Sequence, residues 1–274
     1  MVFSVCLKKY LDIFGLEQRY FSFLYKIKYH VNVDYMLSKS HIKLITSLKQ
    51  KKYRLQHGFF VVEGVKTIKE LLQSKLILYA LYTTESFNID AKDEILITEA
   101  ELKRISFLTT PNKALAIFKI PEVKPIEQNG LVLALDAVRD PGNLGTIIRL
   151  CDWFGIKDLI CSKETVDCFN PKVIQATMGS IIRVNISYVD LELFLKEINV
   201  PVYGAFMEGE TVYNMHLPNK GILVMGNEAN GVSKDIEALI RKKVSIPRFG
   251  DLQATESLNV ATATAILLSE FRRF

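Results

Sequence analysis

The chain has 274 residues, 49% of them hydrophobic and 24% charged, with a formal net charge of +5. That composition belongs to a folded protein with a substantial core and excludes a disordered or low-complexity chain. The modest positive balance suits a polyanionic partner without requiring one, and the length allows one large or two smaller domains.

Met1–Tyr35 reads as an N-terminal extension. Tyr10, Phe14, Tyr20, Phe21, Phe23 and Tyr25 stand among lysines there. Either it is an amphipathic helix that docks on the body or on a membrane surface, or the organised protein begins at Met36. Lys8, Lys9, Asp12, Glu17 and Arg19 interrupt its apolar residues, so the h-region of a signal peptide is missing. No stretch is apolar and long enough to span a bilayer. Cys6, Cys151, Cys161 and Cys168 form no Cys-x-x-Cys pair and share no zinc-like spacing with the four histidines. Reduced, buried thiols in a cytoplasmic, metal-free protein are the expectation.

Leu37–Phe60 is the most basic stretch, with Lys39, Lys43, Lys49, Lys51, Lys52 and Arg54 uninterrupted by any acid. Ile42, Leu44, Ile45 and Leu48 give it a helical apolar stripe that turns the cations outward. Such a face is either merely solvated or contacts a phosphate backbone, and the run of six cations favours phosphate. Strands and helices then alternate. Strands are predicted at 58–62, 76–83, 94–97 and 113–120, with helices at 64–73 and from the capping box Thr98-Glu99-Ala100-Glu101 through Ile105. Together 36–120 reads as a small α/β domain. Residues 121–130, with two prolines and no apolar period, read as a linker.

The run Leu131–Asp136 suits a strand buried on both faces of a parallel sheet. Asp140–Gly145 reads as a turn and Thr146–Phe154 as a helix. Further strands are predicted at 158–161, 183–188, 202–206, 221–225 and 244–246, with helices between most of them. The chain closes on an Ala/Thr-rich helix from Val260, with Ser257 as a candidate N-cap. Residues 131–274 therefore read as a mostly parallel sheet flanked by helices, a class that binds ligands beyond the carboxyl ends of its strands.

Three polar or glycine-rich segments stand at such ends. The first, 136–145, brings Asn143, with Arg149 six residues on, where a guanidinium can clamp a phosphate or simply pair on the helix surface. The second, 226–231, brings Gly226, Asn227 and Glu228. The third, 247–259, brings Ser257 and Asn259, which either cap the helix or face a ligand. The common nucleotide fingerprints are absent, as is histidine from all three segments, which argues against a hydrolase triad. The residues alone give a ligand site and no reaction.

In order, these segments resemble the three motifs of the SpoU (TrmH-type) RNA 2′-O-ribose methyltransferases of the SPOUT superfamily. They are Asn143-Leu144-Gly145-Thr146-Ile147-Ile148-Arg149, then Val224-Met225-Gly226-Asn227-Glu228, then Ile246-Pro247-Arg248 with Glu256-Ser257-Leu258-Asn259-Val260. Lys51-Lys52-x-Arg54, Gly58-x-Phe60 and Glu63-Gly64 more loosely resemble the family's L30e-like substrate-binding domain. The resemblance implies a trefoil-knotted C-terminal domain, a homodimer with the last helix in its interface, and S-adenosyl-L-methionine held near Gly226, Asn227, Ile246 and Leu258. It implies that Arg149, Asn143, Glu228, Ser257 and Asn259 surround the reacting ribose. Lys39, Lys43, Lys51, Lys52 and Arg54 would bind RNA, with ribosomal RNA favoured over transfer RNA and both left open. A non-catalytic RNA binder that keeps the fold is the alternative. The sequence departs from the family pattern at Ala229, where glycine is usual and a negative φ is therefore required. The loop from Pro247 to Ser257 is also long, with 251–255 added.

Overall fold

The computed structural model describes residues 37–89, 93–127, 129–250 and 257–273. The extension 1–35 lies outside them. Leu37–Phe274 forms one compact unit. Its first part runs α1 (Lys39–Ser47), α2 (Lys51–His57), β1 (Phe59–Glu63), α3 (Val65–Leu72), β2 (Leu78–Thr83), β3 (Glu94–Leu96), α4 (Glu99–Ile105) and β4 (Ala114–Lys119). The four strands form a mixed sheet in the order β1-β4-β2-β3, with β2 and β3 parallel and the other pairs antiparallel.

Local chemistry sets these boundaries. Ser38 accepts from the His41 amide to start α1, and Gly58 takes a left-handed conformation, φ +68°, to end α2. The capping box at α4 forms in full, with Thr98 and Glu101 each satisfying the other's backbone. Glu101 is held below the usual carboxylate range by the Thr98 and Leu37 amides that it accepts. Ile45 and Leu48 of the predicted stripe are fully buried.

The second part runs β5 (Leu131–Leu135), α5 (Pro141–Trp153), β6 (Asp158–Ser162), α6 (Pro171–Thr177), β7 (Asn185–Val189), α7 (Leu191–Glu197), β8 (Val202–Thr211), β9 (Gly221–Met225), α8 (Lys234–Glu237), β10 (Lys242–Ser245) and α9 (Val260–Phe271). The six strands are all parallel, in the order β10-β8-β9-β5-β6-β7. Every residue of β5, β6 and β9 is buried, as a strand covered by helices on both faces must be. α9 packs on α5.

Three expectations are corrected. Asp140–Gly145 is not a free turn. Asp140 caps α5 through its carboxylate on the Asn143 amide, and Pro141 takes the first helical position, where its missing N–H is harmless. Gly145 therefore serves packing, since a Cβ there would lie 2.4 Å from the Ala176 side chain of α6. The strand expected at 202–206 continues to Thr211, and β10 switches partner register between Lys243 and Val244, leaving 205–209 to arch out of the ladder. Finally, Asn259 and not Ser257 caps α9, accepting from the Ala261 and Thr262 amides. The implied knot would be formed by the path 246–259, of which 251–256 lie outside the described residues.

The two sheets are tied by polar and aromatic contacts. Phe60 of β1 meets Phe169 at 4.8 Å between ring centroids. Arg183 bridges Glu70 of α3 and Asp152 of α5 at 2.5 and 2.8 Å. Arg54 is only 2% exposed and donates Nε and Nη2 to Asp167 Oδ2, at 3.0 and 2.5 Å, and Nη1 to the Leu48 and Lys49 carbonyls. The expectation that Arg54 contacts RNA is thus corrected, because all three nitrogens are occupied inside the fold.

Candidate active site

The ends of β5, β9 and β10 and the starts of α5 and α9 meet at one side of the parallel sheet. Asp136 closes β5, is buried, and accepts from the Ser233 amide at 2.7 Å. Ala137 turns the chain with φ +57°, donates its amide to Ser162 Oγ, and offers its carbonyl to Asn227 Nδ2 at 2.6 Å. Asn227 then accepts from the Ala229 and Asn230 amides and pairs its own backbone with Gly231. The loop after β9 is therefore a tight reversal pinned to the end of β5. Gly231, at φ +67°, takes its left-handed position, and Ala229 keeps a negative φ, as its side chain demands. Gly226 is irreplaceable on geometry, since a Cβ there would lie 2.3 Å from the Gly231 carbonyl carbon and the Val232 nitrogen.

From this frame a chain of side chains crosses the mouth of the site. Asn259 Nδ2 donates to Asn143 Oδ1 at 2.9 Å, and Asn143 Nδ2 donates to Glu228 Oε1 at 2.6 Å. Three segments separated by up to 116 residues thereby share one hydrogen-bonded line. Asn259 can serve because its Oδ1 caps the helix while its amide nitrogen stays free to reach Asn143.

Beside this line lies a cleft of about 1110 Å³. Gly226, Asn227, Ile246 and Leu258 line it, together with Glu228 and Ser257. Sequence reasoning missed its other wall: Phe206 and Met207 from the arch in β8, and Val260, Ala263 and Leu267 from α9. A glycine inside a strand was the available signal for the arch, because Gly209 packs against the Lys243 carbonyl where a Cβ would come within 2.7 Å.

Arg149 does not join the hydrogen-bonded line. It lies about 9 Å farther along α5, exposed, and pairs with no side chain among the described residues. Thr146 and Trp153 share its helix face, and Trp153 is 84% exposed. Lys39, Lys43, Lys51 and Lys52 are all exposed, with Lys51 over the Tyr188 ring at 5.6 Å. Burial pushes the Cys151, Cys161 and Cys168 thiols up, Cys168 to about 12, so they stay protonated and inert. Among the described residues no helix is long and apolar enough to cross a membrane, and no three His, Cys, Asp or Glu side chains gather as metal ligands would.

The model of the SpoU rRNA Methylase family matches residues 130–269. The chain belongs to that family. A model of the MRM3-like substrate binding domain matches residues 39–116. A relative, the Bacillus subtilis 23S rRNA (guanosine(2553)-2′-O)-methyltransferase RlmP, is 32% identical over 237 residues, covering 82% of this chain and 93% of that protein. The structure of a putative TrmH-family RNA methyltransferase from Porphyromonas gingivalis superposes with a TM-score of 0.79 at 39% identity, over 87% of this chain and 99% of that one. An AdoMet-bound rRNA methyltransferase from Sinorhizobium meliloti superposes with a TM-score of 0.77 at 30% identity, over 86% of this chain and 96% of that one. The SpoU architecture thus extends over both sheets.

Proposed function

We propose that the protein is an S-adenosyl-L-methionine-dependent 2′-O-ribose methyltransferase of ribosomal RNA, working in the cytoplasm as a homodimer. The observation that carries the reading is the Asn259–Asn143–Glu228 line at the mouth of the cleft. The cleft fits the methyl donor by its chemistry. Gly226 leaves no side chain over its backbone, Ile246 and Leu258 give apolar surface, and Met207 and Ala263 line the other side. S-adenosyl-L-methionine, when bound, supplies an electrophilic methyl group to a nucleophilic oxygen.

The chain's own residues do the rest. Glu228 keeps a carboxylate oxygen beyond the one that Asn143 uses, and so can accept from a sugar hydroxyl. Asn143 and Asn259 hold that carboxylate in one orientation, which is the positioning that a displacement reaction requires. Arg149, always charged and with no side-chain partner among the described residues, binds the phosphate beside the reacting ribose. Its distance from the line supports a dimer in which α5 faces α5 or α9 of a second copy, with Trp153 covered and Ala265 allowing close helix approach. The preference for ribosomal RNA is supported by the substrates of the named relatives.

Calorimetric titration with S-adenosyl-L-methionine, joined to ribose-methylation mapping of ribosomal and transfer RNA from cells with and without the gene, tests the proposal. Binding heat and one lost ribosomal methylation are expected. A folded protein that gives no heat and changes no methylation would leave only an RNA-binding role.

A further inference from the structure

A second pocket, of about 310 Å³, opens between the two sheet domains, apart from the methyl-donor cleft. It stands at the small end of the range of about 300–1,000 Å³ that ligand pockets occupy. Lys49 and Phe107 come from one domain, and Pro141, Asn170, Lys172 and Gln175 from the other. Glu63, the last residue of β1, also lines it, and its carboxylate accepts from Ser106 Oγ at 2.5 Å and from the Phe107 amide at 2.7 Å. The Phe107 backbone is therefore fixed, and its half-buried ring packs against the core of the first sheet.

Two observations make this more than a gap between domains. The first is the buried Arg54 guanidinium. It holds the Lys49 carbonyl at 2.9 Å and Asp167, which stands shortly before Asn170 and Lys172 in the chain. One side chain thus fixes the spacing of the two walls. The second is the state of the polar groups. The ammonium groups of Lys49 and Lys172 are exposed and have no partner among the described residues. Asn170 accepts from the Lys172 amide through Oδ1, and among the described residues its Nδ2 and the Gln175 side-chain amide are uncommitted.

An aromatic side chain in the lining, two amides and two cations are the groups that an unstacked nucleotide engages, through its ring, its base edge and its phosphate. The pocket also adjoins the chemistry, because Pro141 opens α5 and Asn143 follows two residues later. We infer that this pocket holds a second nucleotide of the RNA, near the methylated one, and so selects which ribose reaches the cleft. The inference rests on the proposed RNA methyltransferase activity.

The test uses the full chain and unmodified 23S ribosomal RNA transcribed in vitro. Lys49→Ala combined with Lys172→Ala leaves the backbone carbonyl that Arg54 holds in place. KM for the transcript is expected to rise about tenfold, and the slope of log affinity against log salt to flatten by about 1.4. kcat and calorimetric affinity for S-adenosyl-L-methionine should stay within about twofold. Phe107→Leu, which keeps apolar bulk but removes the stacking face, should raise KM by about fivefold or more. Unchanged KM and salt slope in both variants, with methylation intact, would overturn the pocket alone. An unaltered protein that neither binds nor methylates the transcript would overturn the enzyme reading and the pocket together.

Discussion

At the mouth of the cleft Asn143, Glu228 and Asn259 commit their amides and carboxylate to one another, and Asn227 commits its own to the backbone. On α1 and α2, Lys39, Lys43 and Lys52 make no ion pair among the described residues and stand in solvent. The first region is fixed before any ligand arrives, which suits a reaction that needs atoms aligned to fractions of an ångström. The second is exposed charge, which suits a phosphate backbone read by electrostatics without fixed geometry. Arg54 belongs to the second region by sequence and to the first by behaviour, and it shows that burial, not charge, decides a cation's role.

Substitutions that exchange these behaviours would break the comparison. The largest effect is expected of Gly226→Ala, whose Cβ would meet backbone at 2.3 Å. The loop must move, and calorimetric binding of S-adenosyl-L-methionine should disappear; a normal titration would show that the loop is not fixed. Next comes Arg54→Ala, which strands Asp167 without its partner. A loss of about 3–5 kcal/mol in denaturant unfolding is expected, and a change near zero would return Arg54 to the solvated cations.

Arg149→Ala should lower turnover by about 10²-fold while cofactor affinity stays unchanged, as for a substrate that is no longer held in register. Unaltered turnover would remove it from the chemistry. The smallest effect belongs to Lys51→Ala with Lys52→Ala. RNA affinity should weaken and its salt slope flatten by about 0.7 for each lysine, with melting temperature unchanged. A fall in stability instead would mean that the Lys51–Tyr188 contact holds the domains together.

Much of the site was legible because its residues are constrained locally. Gly226, Asn227 and Glu228 stand at the end of a strand whose five apolar residues announce it, and Asn259 stands before an unmistakable helix. Asp140-Pro141 was misread as a turn, although an acceptor followed by proline is also how a helix begins. The apolar wall from Phe206 and Met207 was not legible, since the arch that carries it exists only through the register change against β10.

The sequence by itself determined the alternation of strands and helices, the capped helix ends and the order of the three motifs, because each depends on neighbours within a turn or two. Only the tertiary structure decided that Asn143 bonds Glu228 and Asn259, that Arg54 is buried against Asp167, and that a pocket opens between the sheets. Those outcomes depend on which surfaces are removed from water together, and residues more than a hundred positions apart settle that only when the chain has closed upon itself.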